Sequence, residues 1–517
     1  MTRTASAAAS RPQRSPLFIA VALAVATGAI ALATFDYAVV AMQADLRFSA
    51  EDGNAAMLVP ATASLVVVFV AGVVGDRLGR RRVMLASGAV FALGAAIVAV
   101  APSLPVVMAG QVLEGAGGAA MAITALAVLS TAFPGGRARA VAFGAFAAIM
   151  PAVFIAGPVV GAALEEATSW RAIPLLSLSI GVLAILAAAL LLPADRPRGS
   201  GEVITPILAG VALCGIAGTA GAVIVAPGRT AVALAVIGLG AVIGLVVAMR
   251  RVSTPSLDLG LLRAPGGSTA LLALALANAV NLLFFTTLLL QYLLRLDPFE
   301  AALAMIPVQV AATAGGFAGG WVIARIGVVG AAVATLSATA AAALAVVMAG
   351  PDSPLWVILL LAAIYAFTGL ASAAPLSQRV MDLAPEDREG VASAYRTAAA
   401  ALGAAVGGVA AAAIAFSTFQ VAFSRGLEES GFSAARADAI ATSVRESASL
   451  SGLHRKALGV PLREVPEVER REAPRLDSAE ISAYRAVAIA AAVANGLAVL
   501  VMLPSLRLRR RRAPDAG

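Results

Sequence analysis

Cysteine and histidine are almost absent from this 517-residue chain, which contains one of each, Cys214 and His454. A lone cysteine cannot close a disulfide within the chain. Structural zinc sites need about four cysteine or histidine ligands, and Cys/His nucleophile pairs need a histidine beside the attacking group. These scarcities exclude zinc sites, Cys/His nucleophile pairs and His-based triads within one chain.

Charged residues are also scarce, at 13% of the chain, whereas a soluble protein carries about 25%. Hydrophobic residues make up 60%, and the mean hydropathy is +0.93. The core of such a chain must be solvated by lipid. The net charge is +8, and the basic residues lie in short segments between apolar runs and in both tails. We therefore assign it to membrane topology rather than to nucleic-acid binding.

No Gly-x-x-x-x-Gly-Lys phosphate loop is present in the sequence, which argues against ATP-driven transport. We also find no nucleophile–base pair, no metal cluster and no sizeable cytosolic domain, so we do not expect an enzyme. A receptor or a membrane-embedded enzyme is the least supported class. The apolar run from Leu17 to about Met42 is longer than the roughly 7–15 residues of a signal-peptide core. We therefore expect it to be a transmembrane helix that is not cleaved.

The apolar segments predict an all-α integral membrane protein with fourteen transmembrane helices. A helix needs roughly 20 apolar residues to cross the hydrocarbon core. The predicted spans lie at about 17–42, 54–75, 83–102, 104–133, 137–164, 171–193, 203–227, 229–249, 267–292, 298–323, 327–349, 354–376, 390–416 and 483–505.

Arginine placement orients these spans. With the N-terminus in the cytoplasm, 22 arginines fall in cytoplasmic segments and 4 in the short outside loops, as the positive-inside rule requires. Removing one span would invert everything downstream and destroy this asymmetry. We expect a multi-pass protein of the cell (plasma) membrane with both termini cytoplasmic.

A tight basic turn separates the second and third spans. It reads Gly-Val-Val-Gly-Asp-Arg-Leu-Gly-Arg-Arg-Arg-Val-Met over residues 72–84. Glycines permit the reversal and the arginines keep the turn in the cytoplasm. The segment resembles the signature loop of the major facilitator superfamily, and that resemblance implies a secondary transporter. In the family the aspartate is associated with a conformational latch. The resemblance implies that the residues of this latch loop are Gly72, Asp76, Arg77, Gly79, Arg80 and Arg81.

An internal repeat predicts two related halves. The run from Gly320 to Gly327 echoes the basic turn at the end of the tenth span, with Ala324 in place of the aspartate. We therefore expect two six-helix bundles with two extra helices between them, as in a rocking-bundle transporter. The boundaries are a tail at 1–16, an N-terminal bundle at 17–193, a linker at 194–266, a C-terminal bundle at 267–505 and a basic tail at 506–517.

Further motifs are similar to those of the fourteen-span drug/proton antiporters. They include Phe35–Val40 in the first span, Trp170-Arg171, the segment from Pro385 to Gly403, and the antiporter pattern of the fifth span. A proline removes a backbone donor and bends a helix, and glycines permit close packing; these residues can also be packing residues alone. The residues of the antiporter pattern are Gly144, Gly157, Pro158 and Gly161.

The chain departs from the family at the positions associated with proton coupling. In the fourth span, Gln111 occupies the position where the family has arginine, and Glu114 the position where the family has glutamine. In the thirteenth span, Ala400 occupies the position of the family's arginine. These departures leave open whether coupling uses the residues that are standard in the family.

Asp36 and Glu114 are the candidate intramembrane acids for proton coupling. A carboxylate in the bilayer is costly unless it is paired, protonated or facing water, so it indicates function; alternatively, either acid lies near a span end and is hydrated. We expect a substrate cavity at the midplane, although buried amides also join helices without binding ligands. Its lining is predicted to include Met150, Phe154, Asn278, Phe284, Phe285 and Gln309.

The segment 417–482 is predicted to be a large extracellular loop. We expect a short amphipathic helix within 433–456 and no helix in the proline-interrupted stretch that follows. The loop is either a solvated cap or part of a substrate gate.

Together these features predict proton-coupled export of amphipathic or cationic small molecules by alternating access. The alternative is a narrow-specificity metabolite exporter or importer of the same superfamily. No cofactor is expected, since a proton gradient would drive transport. The expected partners are substrate, protons and the lipid bilayer, without nucleic acid, and the expected state is a monomer.

Overall fold

The computed structural model describes residues 14–47, 50–133, 136–193, 202–225, 229–252, 260–294, 296, 298–350, 352–383, 389–438 and 465–512. Within these ranges all regular structure is helical. A helix satisfies its own backbone hydrogen bonds, as any segment that crosses a bilayer must. In this part of the chain, ten helical segments are long and apolar enough to cross a membrane, and two shorter apolar stretches lie at Pro16–Ala31 and Ile204–Thr219.

The first eight helices coincide with the first eight predicted spans. They are α1 (Arg14–Leu46), α2 (Ala50–Leu78), α3 (Arg80–Ala99), α4 (Leu104–Ala132), α5 (Gly136–Ala167), α6 (Ala172–Leu191), α7 (Ile204–Val225) and α8 (Arg229–Arg251). Helices α1 to α6 form the N-terminal half, in which α4 packs against α1, α2 and α3. Helix α7 pairs with α8 and also lies against α2.

The remaining helices form the C-terminal half, and here two predicted spans are divided. The helices are α9 (Gly260–Arg263), α10 (Gly267–Ala277), α11 (Leu282–Tyr292), α12 (Pro298–Ala304), α13 (Ile306–Ile326), α14 (Val328–Val346), α15 (Leu355–Met381), α16 (Glu389–Glu429) and α17 (Val465–Arg512).

The predicted ninth span is found as one apolar segment, Gly267–Leu290, whose helix is interrupted at residues 278–281. The Asn278 Nδ2 atom donates to the Leu274 carbonyl at 2.8 Å, and the Asn281 Oδ1 atom accepts from the Phe284 N–H at 3.4 Å. The Tyr365 hydroxyl donates to the freed Val280 carbonyl at 3.2 Å. Side-chain groups therefore replace intrahelical hydrogen bonds at the break, which apolar content does not reveal.

Helices also extend into the predicted outside loop 417–482. Helix α16 continues to Glu429 and α17 begins at Val465, so the expected lack of helix after the prolines is wrong for 465–482. Pro466 lies in the first turn of α17, where a missing N–H is tolerated. Phe423 and Leu427 of α16 pack against Ala479 of α17. Of the expected helix within 433–456, the structure describes a helical turn at 434–438. Residues 439–464 lie outside the described residues.

The internal repeat is visible as two matching turns. Gly79, between α2 and α3, has φ 94° and ψ 137°, and Gly327, between α13 and α14, has φ 78° and ψ 167°. Both lie in a region that L side chains rarely adopt, so each turn requires glycine. The two turns lie at one end of the bundle, which we call the basic end because Arg80, Arg139 and Arg325 are there.

Glycines on α16 bring its backbone against α10 just before the break in the ninth span. A Cβ atom added at Gly403 would lie 2.0 Å from the Ala275 carbonyl oxygen, and one at Gly407 would lie 2.3 Å from that of Ala279. Gly408, the next residue, has nothing within 4 Å of such an atom. Neighbouring glycines on α16 therefore differ in whether packing requires them.

This contrast predicts opposite effects for one substitution at two sites. Gly403→Ala should destabilise the protein by roughly 1–3 kcal/mol because the added methyl group overpacks the α10 contact. Gly408→Ala should leave the unfolding temperature unchanged or raise it, since alanine is the better helix former by about 1 kcal/mol. Thermal unfolding of the purified variants in detergent measures both. Equal unfolding temperatures for the two variants would contradict the close α10–α16 contact.

Candidate functional site

Arg80 anchors the basic turn inside the N-terminal half. Its side chain is buried at the start of α3, and its Nη1 atom donates to the Ala127 carbonyl at 3.0 Å and to the Thr131 hydroxyl. Both acceptors lie near the end of α4. Arg81 donates to the Ala189 carbonyl of α6, whereas Arg77 is exposed. The turn therefore fastens α3 to two neighbours of its own half.

Asp76 connects this turn to the other half of the protein. Its Oδ1 atom lies 3.4 Å from Arg80 Nη2, and its Oδ2 atom accepts from the Val391 N–H at 3.3 Å. Val391 is in the first turn of α16, where free N–H groups and the positive end of the helix dipole favour an anion. The carboxylate thus contacts the C-terminal half through a helix N-terminus.

Arg139 and Asp382 form a second polar contact between the halves at the basic end. The Arg139 Nη2 atom at the start of α5 lies 3.1 Å from Asp382 Oδ1, just beyond α15. The Arg139 Nη1 atom also donates to the Ser130 and Phe133 carbonyls at 3.3 Å. Neither residue is among the predicted site residues. The only sequence signal for Arg139 is its place in a cytoplasmic loop of the predicted topology.

Burial raises the pKa of the Asp382 carboxyl above its ordinary value of about 3.8, and the neighbouring Arg139 and Arg379 guanidinium groups only partly offset this effect. The side chain is still 32% exposed. The loss of water around the carboxylate therefore outweighs the attraction of the arginines. This ion pair positions the halves more than it stabilises them.

Small residues bring α5 and α13 into backbone contact at the basic end. A Cβ atom added at Gly144 would lie 3.0 Å from the Gly316 carbonyl oxygen, and one at Gly320 would lie 2.4 Å from that of Ala140. Nearby, the Ser393 hydroxyl of α16 donates to the Ile123 carbonyl of α4 at 2.9 Å. We call the Asp76–Val391, Arg139–Asp382, Ser393–Ile123 and α5–α13 contacts together the basic-end closure.

The residues of the predicted antiporter pattern divide between two interfaces. Gly144 belongs to the closure, whereas Gly157 and Gly161 face Ala33 and Thr34 of α1, inside the N-terminal half. Helix α5 continues through Pro158, whose side chain lies outside the described part. Gly72 is buried in α2.

Glu114 lies inside the N-terminal half. Gly110 and Gly117, one turn to either side on the same face of α4, pack against the α3 backbone, and a Cβ atom at Gly94 would lie 2.7 Å from Glu114 N. The Glu114 side chain is 6% exposed and that of Gln111 is 1% exposed, with Gln111 Oε1 lacking a hydrogen-bond partner. This face of α4 is therefore polar and buried. Asp36 is in α1, and its side chain lies outside the described part.

The predicted cavity residues have different roles in the structure. Asn278 caps α10. Phe284 and Met150 are exposed, and Phe284 makes an edge-to-face contact with Phe285 at 5.4 Å between ring centroids. Phe154 and Gln309 are partly buried. A substrate cavity lined by this set stays a prediction.

A partly buried arginine in the thirteenth span, Arg396, is absent from the predicted site. It donates to the Ser377 hydroxyl at 3.2 Å and lies near the Phe146 ring of α5. The rule that selects Asp36 and Glu114, a charged residue inside an apolar span, also selects Arg396.

Comparison with known proteins identifies related sequences. A family model described as Major Facilitator Superfamily matches residues 17–408. The multidrug efflux pump LfrA of Mycolicibacterium smegmatis is 32% identical over 253 residues, which cover 48% of this chain and 50% of LfrA. The tetracenomycin C resistance and export protein of Streptomyces glaucescens is 28% identical over 412 residues, which cover 76% of this chain and 74% of that protein. The chain thus aligns with about half of LfrA and with more of the second relative.

Solved structures show the same fold at low sequence identity. The human organic anion transporter MFSD10 superposes with a TM-score of 0.59 at 15% identity, covering 95% of this chain and 99% of that chain. The proton:xylose symporter XylE gives a TM-score of 0.57 at 12% identity, covering 94% and 95%.

Removal of the Asp76 charge should open the basic-end closure. Asp76→Asn loses the interaction of the charge with the α16 N-terminus, which contributes about 1–2 kcal/mol when partly buried. The ratio of open to closed conformers should therefore rise roughly 5- to 30-fold. In a Cys214→Ala background, a cysteine at Ala147 should then react faster with maleimide. Asp45→Asn is the matched control, because Asp45 pairs with Arg171 within the N-terminal half. Unchanged labelling in Asp76→Asn would reduce the turn to a topological anchor.

The raised pKa of Asp382 predicts the sign of a pH effect. A carboxyl group with a raised folded-state pKa contributes stability that is present below about pH 3.8 and is lost as the pH rises through the raised pKa. Asp382→Asn should therefore unfold at or above the wild-type unfolding temperature at pH 7. The unfolding temperatures of the two proteins should become equal as the pH falls toward 4. Arg139→Met, which leaves the carboxylate unpaired, should be less stable at pH 7. A large loss of stability in Asp382→Asn at pH 7 would contradict this balance.

Proposed function

The chain belongs to the major facilitator superfamily, and on that premise we propose that it is a secondary active exporter of small molecules that works by alternating access. Support comes from relatives named as a multidrug efflux pump and as an antibiotic resistance and export protein. In this proposal the substrates are amphipathic or cationic small molecules.

The basic-end closure is the observation that carries this proposal. It joins the halves through a few polar contacts and a patch of small residues at one end of the protein. Such contacts are individually weak, so a rocking motion can break them together. Since the basic end is cytoplasmic by the positive-inside rule, this conformer is closed to the cytoplasm, and substrate would enter only after the closure opens.

We propose fourteen spans with both termini in the cytoplasm, in the plasma membrane, and a monomer as the transporting unit. The support is that helix coincides with each of the fourteen predicted segments, two of them divided. In the same proposal α7 and α8 are the linker pair between the bundles.

A proton gradient is the proposed energy source, without a cofactor. Glu114 is the proposed exchangeable site, because it is a buried carboxylate on the face of α4 where the family's arginine is replaced by Gln111. Asp36 is proposed to assist cation recognition. A buried acid is stable in a bilayer when it is protonated, so its charge state can change during the cycle.

Transport in proteoliposomes tests this function. With an imposed pH gradient, the full-length protein should accumulate ethidium against its concentration gradient. Glu114→Gln should still exchange ethidium in counterflow but should lose pH-driven accumulation, because its side chain cannot release a proton. Glu165→Gln, a matched change near the end of α5, should behave as the wild type. Absence of ethidium movement in every assay would refute the proposed function. Normal accumulation by Glu114→Gln would show that Glu114 is not the coupling site and would leave Asp36 as the candidate.

A further inference from the structure

Arg396 lies where the two halves meet, about 10 Å into the protein from the first residue of α16, at 1.5 Å per residue. Its Nη1 atom donates to the Ser377 hydroxyl of α15 at 3.2 Å. The centre of its guanidinium group lies 6.0 Å from the centroid of the Phe146 ring. Phe146 belongs to α5, in the N-terminal half, so the arginine faces the opposite half across the interface.

Most of the hydrogen-bonding capacity of Arg396 is unused among the described residues. A guanidinium group has five N–H donors and no acceptor. The buried Nε atom has no hydrogen-bond partner. The ion pairs seen among the described residues join Asp76, Asp382 and Asp45 to other arginines. Arg396 is thus a partly buried cation whose contacts among the described residues are one neutral hydroxyl and one distant aromatic ring.

Charged residues within membrane spans normally pair with one another or face a pathway for substrate or ions. A structural role would require acceptors, and the part of the chain that the structure describes supplies one, the Ser377 hydroxyl. The ring contact is at the outer limit for a cation–π interaction, about 6 Å, so it contributes little. The observed contacts therefore leave donors of Arg396 available to a partner outside the protein.

We propose that Arg396 binds an acidic group of the transported substrate, and that the substrates therefore include amphipathic carboxylic acids. This inference rests on the proposed function. The Nε–H and one Nη–H point along one edge of a guanidinium group and match the two oxygens of a carboxylate. The unsatisfied Nε–H is the donor that such a pair uses.

The position of Phe146 links this site to the transport cycle. Phe146 packs in a hydrophobic cluster that contains Phe143 of its own half and Met381 of the other half. When the halves separate at the basic end, α5 carries Phe146 away and uncovers Arg396 on that side. An acid would then bind from the basic end, which is the loading side for export.

The test compares acids with their methyl esters on the full-length protein. The probes are naphthalene-2-carboxylate and pyrene-1-butyrate, each with its uncharged methyl ester, and binding is measured as inhibition of ethidium counterflow. In the wild type at least one acid should inhibit at a concentration tenfold or more below that of its ester. This preference should disappear in Arg396→Gln and in Arg396→Met, and should weaken in Arg396→Lys, which keeps the charge but loses the two-donor edge.

Two controls separate this proposal from the proposed function and from misfolding. Arg325→Gln removes an exposed arginine that stacks on Trp321 at the basic end, and it should keep the acid preference. Ethidium counterflow without a competitor is measured for each variant as the reference rate for its own inhibition curve, and the thermal unfolding of Arg396→Gln and Arg396→Met reports whether they fold. The proposal is overturned if no acid outcompetes its ester in the wild type or if the preference survives in both variants, while ethidium transport by the wild type leaves the proposed function standing.

Discussion

Helices in a bilayer cannot be held together by the hydrophobic effect, because lipid chains solvate apolar side chains as well as another helix does. This protein meets that constraint with backbone contacts between small residues. They join α3 to α4 through Gly94 and Gly110, α10 to α16 through Gly403, and the two halves through Gly144 and Gly320. The same kind of contact builds each half and closes one half on the other. The contact between the halves lies at the same end of the protein as Asp76, Arg139 and Asp382, whose polar contacts also join the halves.

The basic-end closure combines that packing with polar contacts of modest strength. Asp76 accepts a hydrogen bond from a helix N-terminus, and Asp382 pairs with Arg139 although burial disfavours its charge. Both carboxylates therefore define one arrangement of the halves without locking it. A transporter needs two arrangements of similar free energy, and a strong hydrophobic interface between the halves would prevent the exchange.

Charges within the spans separate two tasks. Glu114 lies on a face of α4 that packs within the N-terminal half, while Arg396 lies between the halves. In the proposed cycle the buried acid exchanges protons within one half, and the partly buried cation between the halves meets the substrate.

The sequence by itself determined the helical class, the positions of the helices and the family, because apolar length, arginine asymmetry and the turn at Gly79 are local properties of the chain. The paired turns at Gly79 and Gly327 were predictable for the same reason. Only the tertiary structure decided the break at 278–281, the extension of α17 to Val465, the pairing of Arg139 with Asp382 and the isolation of Arg396. Each depends on contacts with another helix, through hydrogen bonds or through packing, and hydropathy along one segment contains no information about them.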